Sequence, residues 1–117
     1  MPRPKIQLKR AYALPASDDG VRVLVDRLWP RGLSKSAAAV DHWLKELAPS
    51  TELRRWFAHD PARWEEFRRR YKAELAQATD RLDELRVLAR GRRVTLLFAA
   101  KDEAHNNAVV LRDILSQ

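Results

Sequence analysis

The segment Asp26-Arg27-Leu28-Trp29-Pro30-Arg31-Gly32 gathers a carboxylate, two guanidinium groups and an indole within one short stretch. Guanidinium forks match the oxygens of phosphate and carboxylate, so the chemistry on offer is capture of an anion. A second cluster, Lys101-Asp102 with Asn106 shortly after it, supplies an ammonium, a carboxylate and an amide. If the two clusters meet, Arg27 and Arg31 hold the anion, Lys101 adds charge, Asp102 orients the ligand or acts as a catalytic base, and Asn106 donates a hydrogen bond. A competing expectation uses the same residues structurally. In it Asp26 pairs with Arg27 or Arg31 to brace a loop, Trp29 packs over a helix, and Asp102 only caps.

Other chemistries find less support. Acid–base catalysis near neutrality would fall to His42, His59 or His105, none in a persuasive setting: Asp102, three residues before His105, could orient its ring, but a surface histidine in a first helical turn explains that spacing as well, and His59-Asp60 reads as a helix junction. Asp102 and His105 are two ligands at most, so no metal site is expected. Ser50 lies in Ala48-Pro49-Ser50-Thr51, where helix capping accounts for it, and there is no Gly-x-Ser-x-Gly. The three glycines fit neither a Walker nor a dinucleotide pattern, so no cofactor is expected. The absence of cysteine removes thiolate zinc sites, disulfides and cysteine-based catalysis.

The net charge is +7, concentrated in residues 1–31 and 54–93. The second block contains Arg68-Arg69-Arg70 near Trp56 and Trp64, a combination of cations and aromatics that a nucleic-acid surface uses. Yet the arginines alternate with glutamates at helical pairing distance (Glu65/Arg69, Glu66/Arg70, Arg70/Glu74), while the aromatics fall on an apolar stripe. That is also how an ordinary solvated helix face reads. Nucleic-acid binding through Arg68, Arg69 and Arg70 is therefore the alternative to a small anionic ligand, and a protein-interaction module with no ligand is a third.

These side chains need elements to position them. Lys5 to Lys9 alternates polar and apolar residues as a half-buried strand does, and Val21 to Asp26 and Val94 to Ala100 are nearly continuous apolar runs, as strands covered on both faces are. Between them, Val40, Trp43, Leu44 and Leu47 at i, i+3, i+4 and i+7 predict a helix over 34–48, although Asp41 to Ala48 is short enough for a strand. Ser50 or Thr51 opens a second helix, Asp60-Pro61 a third, and Thr79 or Asp80 a fourth that closes at Gly91. Asp102 caps the last helix. Strands separated by helices predict an α/β fold, a small single-domain layered structure with a mainly parallel sheet of three or four strands flanked by helices. In such sheets ligands collect at the carboxyl ends of the strands, where both clusters fall. At 117 residues the chain is expected to form one domain, residues 1–117. No apolar run is long enough to cross a membrane, and Met1 to Lys5 carries no leader-like stretch, so a cytoplasmic protein is expected.

Arg22-Val23-Leu24-Val25-Asp26-Arg27-Leu28-Trp29-Pro30-Arg31-Gly32, Trp43-Leu44-Lys45, Ala48-Pro49-Ser50, Tyr71, Glu74-Leu75 and the stretch from Leu96 to Asp102 and on to Asn106 and Leu111 together resemble the YeaO-like family, domain of unknown function 488. The similarity covers nearly the whole chain. It implies a small bacterial α/β protein of one domain and brings no reaction or cofactor with it. By resemblance the positions of interest are Arg27, Trp29, Arg31, Gly32, Ser50, Lys101, Asp102 and Asn106.

Overall fold

The computed structural model describes residues 5–116; Met1 to Pro4, read above as free of a leader, and Gln117 lie outside the described residues. Four strands form one all-parallel sheet in the order β1-β4-β2-β3, with β1 at Lys5–Arg10, β2 at Val21–Leu24, β3 at His42–Trp43 and β4 at Arg93–Phe98. The two apolar runs are neighbours. Val21 pairs with Val94 and Leu24 with Leu97, so the segments after them leave the same edge of the sheet.

One face of the sheet carries the main core. Val23, Val25, Val94, Leu96 and Phe98 meet the apolar stripes of α2 (Thr51–Phe57), α3 (Trp64–Leu75), α4 (Thr79–Leu88) and α5 (Asn107–Leu115). Alternation along the strands sends Leu24 and Leu97 to the other face, where a thinner cover of Trp29, Leu33 and Val40 protects them. That second face also buries polar groups. Asp19, 1% exposed, accepts from Lys9 Nζ at 3.1 Å, Arg22 Nη1 at 2.6 Å, Gln7 Nε2 at 3.1 Å and the Ala16 amide at 2.9 Å. Arg22 reaches on to the carbonyls of Ala38 at 2.7 Å and Ala39 at 3.2 Å, fastening the 26–40 segment to the sheet.

Residues 34–48 correct the helical expectation. Ser34 caps α1 (Lys35–Ala38) through the Ala37 amide, but Ala39 turns left-handed at φ 48° and ends the helix after one turn. The free edge of β2 then recruits the chain, since the Asp41 amide donates to the Arg22 carbonyl and the Leu44 amide to Leu24, each at 2.9 Å. Satisfying that edge outweighs the amphipathic period, and β3 with the following 3-10 turn (Lys45–Leu47) still buries Leu44 and Leu47 while leaving Trp43 exposed.

The signals that open α2 and α3 and the turn after α4 hold locally. Ser50 accepts from the Leu53 amide at 3.1 Å, Asp60 from Ala62 at 3.0 Å ahead of α3, and Gly91 has φ +67° beyond α4. Tyr71 of α3 is fully buried and donates its hydroxyl to the Leu47 carbonyl, tying α3 to the loop after β3; burial holds its phenol well above the ordinary value. Tyr71→Phe, which orphans that carbonyl, is expected to lose about 1–2 kcal/mol, measured by urea denaturation.

Candidate functional site

A cleft of about 600 Å³ opens at the carboxyl edge of the sheet. Every strand sends residues to it. Tyr12 follows β1, Asp26 to Arg31 follow β2, Ala48 and Pro49 follow β3, and Ala99 to Asp102 follow β4; Asn106 and Asn107 add the opening of α5, and Arg54, Phe57 and His59 the end of α2. The cleft therefore brings together Arg27, Trp29, Arg31, Lys101, Asp102 and Asn106.

Asp26 holds this edge together. Its Oδ2 accepts from the Ala99 amide at 2.9 Å and its Oδ1 from Asn107 Nδ2 at 3.2 Å, while Asn107 also donates to the Val25 carbonyl at 2.8 Å. The ends of β2, β4 and α5 are thus clamped by one carboxylate and one amide. The expected pairing of Asp26 with Arg27 or Arg31 does not form, because the amide donors occupy its oxygens. Burial raises the Asp26 carboxyl above the ordinary value, partly offset by these hydrogen bonds and by the nearby charges of His59 and Arg54. The folded protein therefore keeps a proton on Asp26 at pH values where the unfolded chain has lost it. Stability from this group falls as pH rises from the ordinary carboxylate value through the folded one. Urea midpoints followed across that window should decline with pH in the native protein and do so less in Asp26→Asn.

Asp102 lies on the cleft, but its oxygens are engaged. Oδ1 accepts from the Ala104 amide at 2.9 Å and the His105 amide at 3.1 Å, and Oδ2 meets His105 Nδ1 at 2.9 Å. The His105 bond first, and then the amides, lower its carboxyl below the ordinary range. The His105 ring in turn stands edge-on to Trp64 at 5.2 Å. Asp102 was expected to cap the last helix, and this is corrected. It closes the preceding turn, and Asn106, in extended backbone, caps α5 by accepting from the Val109 amide at 3.2 Å and donating to the Asp102 carbonyl at 2.9 Å.

Trp29 packs edge-on against Trp43, with centroids 5.6 Å apart, donates its N–H to the Leu33 carbonyl at 2.6 Å and covers the apolar cluster of Ala11, Leu24 and Leu97 on the sheet. Trp43 in turn donates to the Asp26 carbonyl at 2.7 Å. Gly32 and Ser50 are off the cleft lining. Gly32 makes a turn at φ +77°, and Ser50 Oγ donates to Glu74 Oε2 at 2.6 Å while its amide donates to Oε1 at 2.8 Å, which uses Glu74 as a helix-to-helix tie.

Sequence reading missed Tyr12, Arg54, His59 and Asn107 as site residues. The rule that parallel sheets gather ligands at carboxyl ends could have found Tyr12, two residues past β1. Arg54 was hidden in a charge count. His59 has a visible backbone signature only in three dimensions, a left-handed φ of 57° following another at Ala58.

The helical arginines are differently occupied. Arg68 pairs with Glu65 and Asp113, and Arg69 and Arg70 both pair with Glu66. Hydrogen bonds from Arg69 and Arg70 bring Glu66 to a pKa of about 2. Glu74 is drawn away to Ser50, which breaks the expected Arg70/Glu74 pair. Trp56 is covered by Arg70 at 4.3 Å and Arg63 at 5.5 Å, and Trp64 packs on Phe57 and Phe67. Among the described residues no helix is long and apolar enough to cross a membrane.

Compared with known proteins, residues 5–117 match a family model described as "Inactive DUF488-N3 subclade". The chain belongs to this DUF488 subclade. Among the relatives of this chain, "Uncharacterized protein YeaO" of Escherichia coli K12 is 46% identical over 110 residues, covering 94% of this chain and 96% of that one. "Uncharacterized protein Rv3073c" of Mycobacterium tuberculosis H37Rv is 42% identical over 112 residues, covering 96% and 94%. No solved structure matches the chain.

Proposed function

We propose that this DUF488 domain binds a small anionic ligand, bearing phosphate or carboxylate, in the cleft at the carboxyl edge of its sheet, and does so as a binding domain without turnover. The observation that carries the proposal is the state of the cleft cations. Arg27, Arg31, Arg54 and Lys101 all line it, and none forms a salt bridge to a carboxylate among the described residues, although Asp26 and Asp102 line the same cleft. Arg27 Nε is also buried with no hydrogen-bond partner there. Buried donors normally find acceptors, so an incoming oxyanion is the complementary group. The opening of α5 adds the positive end of its dipole to the same side.

Binding without turnover agrees with the description of the subclade as inactive. It also agrees with Asp102, first considered as a base, whose oxygens are held by His105 and two amides with its proton affinity lowered. The Arg68 to Arg70 surface supports a nucleic-acid partner less well, because its cations already have carboxylate partners.

Thermal unfolding in millimolar phosphate, compared with chloride at equal ionic strength, should raise the melting temperature by several degrees once the anion is well above its dissociation constant. Arg27→Ala and Arg31→Ala should each weaken the anion about tenfold or more, and Arg69→Ala should leave it unchanged. Equal shifts in phosphate and chloride, or a response abolished by Arg69→Ala, would sink the proposal.

A further inference from the structure

Resting on that reading, we infer that the ligand is an organic anion with a flat aromatic or comparably apolar ring, and that the cleft divides into a cationic rim for the charge and an apolar interior for the ring. Volume is the first argument. About 600 Å³ lies within the range of pockets that enclose whole organic molecules, and a bare inorganic oxyanion leaves most of it unfilled.

Burial sorts the lining into two zones. Arg31, Arg54 and Lys101 are exposed and form the rim, whereas Ala48, Pro49, Phe57 and Phe67 are buried and form the floor. Phe57 and Phe67 stack with centroids 4.3 Å apart, a rigid apolar base fixed by the core behind it.

The aromatic walls carry the argument further. Tyrosine and tryptophan usually offer a ligand both a ring and a hydrogen-bonding group. Here the second function is already committed, since Trp29 donates to the Leu33 carbonyl at 2.6 Å and Tyr12 to the Arg31 carbonyl at 2.9 Å. With these donors committed, what remains for a ligand is mainly ring surface, although the Arg10 guanidinium lies over the Tyr12 ring at 5.1 Å. The cations have no such commitment to a carboxylate. A ligand that leaves neither surface unmatched combines a ring with an anionic group.

The test is isothermal titration of the native protein with two matched pairs, phenyl phosphate against methyl phosphate and phenylacetate against acetate. The aryl member of at least one pair should bind at least about tenfold more tightly than its alkyl partner, with a more negative heat-capacity change. The pair that shows the preference identifies the anionic group. Leu28→Ser, at a lining side chain that is 60% exposed and outside the core, should shrink the aryl advantage, while Arg31→Ala should weaken both members of the pair alike. If aryl and alkyl anions bind equally, the ring inference is overturned and the anion site stands. If no member of either pair binds, both fall together.

Discussion

Asp19→Ala is expected to cost about 3–5 kcal/mol, enough to unfold much of the population of a domain this size at moderate urea. The reason is the partner left behind. Arg22 is 4% exposed, and its guanidinium is neutralised within the fold by the Asp19 carboxylate at 2.6 Å. Removing the carboxylate strands a buried cation, and also takes acceptors from Lys9, Gln7 and the Ala16 amide. Burial alone would raise the Asp19 carboxyl, but the hydrogen bonds from Ala16, Lys9 and Arg22 outweigh it and hold the value below the ordinary one. Its contribution is therefore present above the ordinary carboxylate value and is lost as pH falls through the lower folded value, the reverse of Asp26. Denaturation curves for native protein and variant should converge at acid pH. Because Arg22 also fastens Ala38 and Ala39, a variant that still folds should bind anions more weakly through a loosened 26–40 segment.

Gly20→Ala should be comparably damaging for a different reason. Gly20 sits at φ +67° immediately before β2, and a Cβ there would lie 2.1 Å from the Arg93 carbonyl oxygen, with backbone on the other side of the clash. The left-handed conformation costs a non-glycine residue about 1 kcal/mol or more, and relieving the overlap requires the start of β4 to move, at about 1–3 kcal/mol further. The measurement is again chemical denaturation. Gly32→Ala and Gly91→Ala are the comparisons, since both glycines have positive φ but open space where a Cβ would go. They should pay the conformational cost alone.

How much of this could be read beforehand depended on whether a signal was local. Strand-like runs at Val21 and Val94, the caps at Ser50 and Asp60, and the turn at Gly91 each depend on a few adjacent residues, and the structure keeps them. Whether 39–44 would join the β2 edge depended on unpaired groups on Arg22 and Leu24, about 20 residues away, which no window of helical spacing contains. Asp102 failed as a helix cap because the turn after it consumed its oxygens first. The cleft followed the same division. Arg27, Arg31 and Lys101 were visible because they closely follow apolar strands and Asn106 because it precedes the last helix, whereas Asn107 became visible only through its bonds to Val25 and Asp26, more than 80 positions earlier. Arg22 was the least readable, a charge inside an apolar strand whose partner lies in a turn.

The strand order has an implication for biosynthesis. Because β4 lies between β1 and β2, no hydrogen-bonded ladder can join the first two strands until residues 93–98 have left the ribosome. Until then the nascent chain carries one half-polar strand and one apolar strand with unsatisfied edges, and insertion of β4 between them completes the sheet in one event. Such a polypeptide should emerge as a client of co-translational holding factors, and chains stalled before residue 93 should be protease-sensitive throughout.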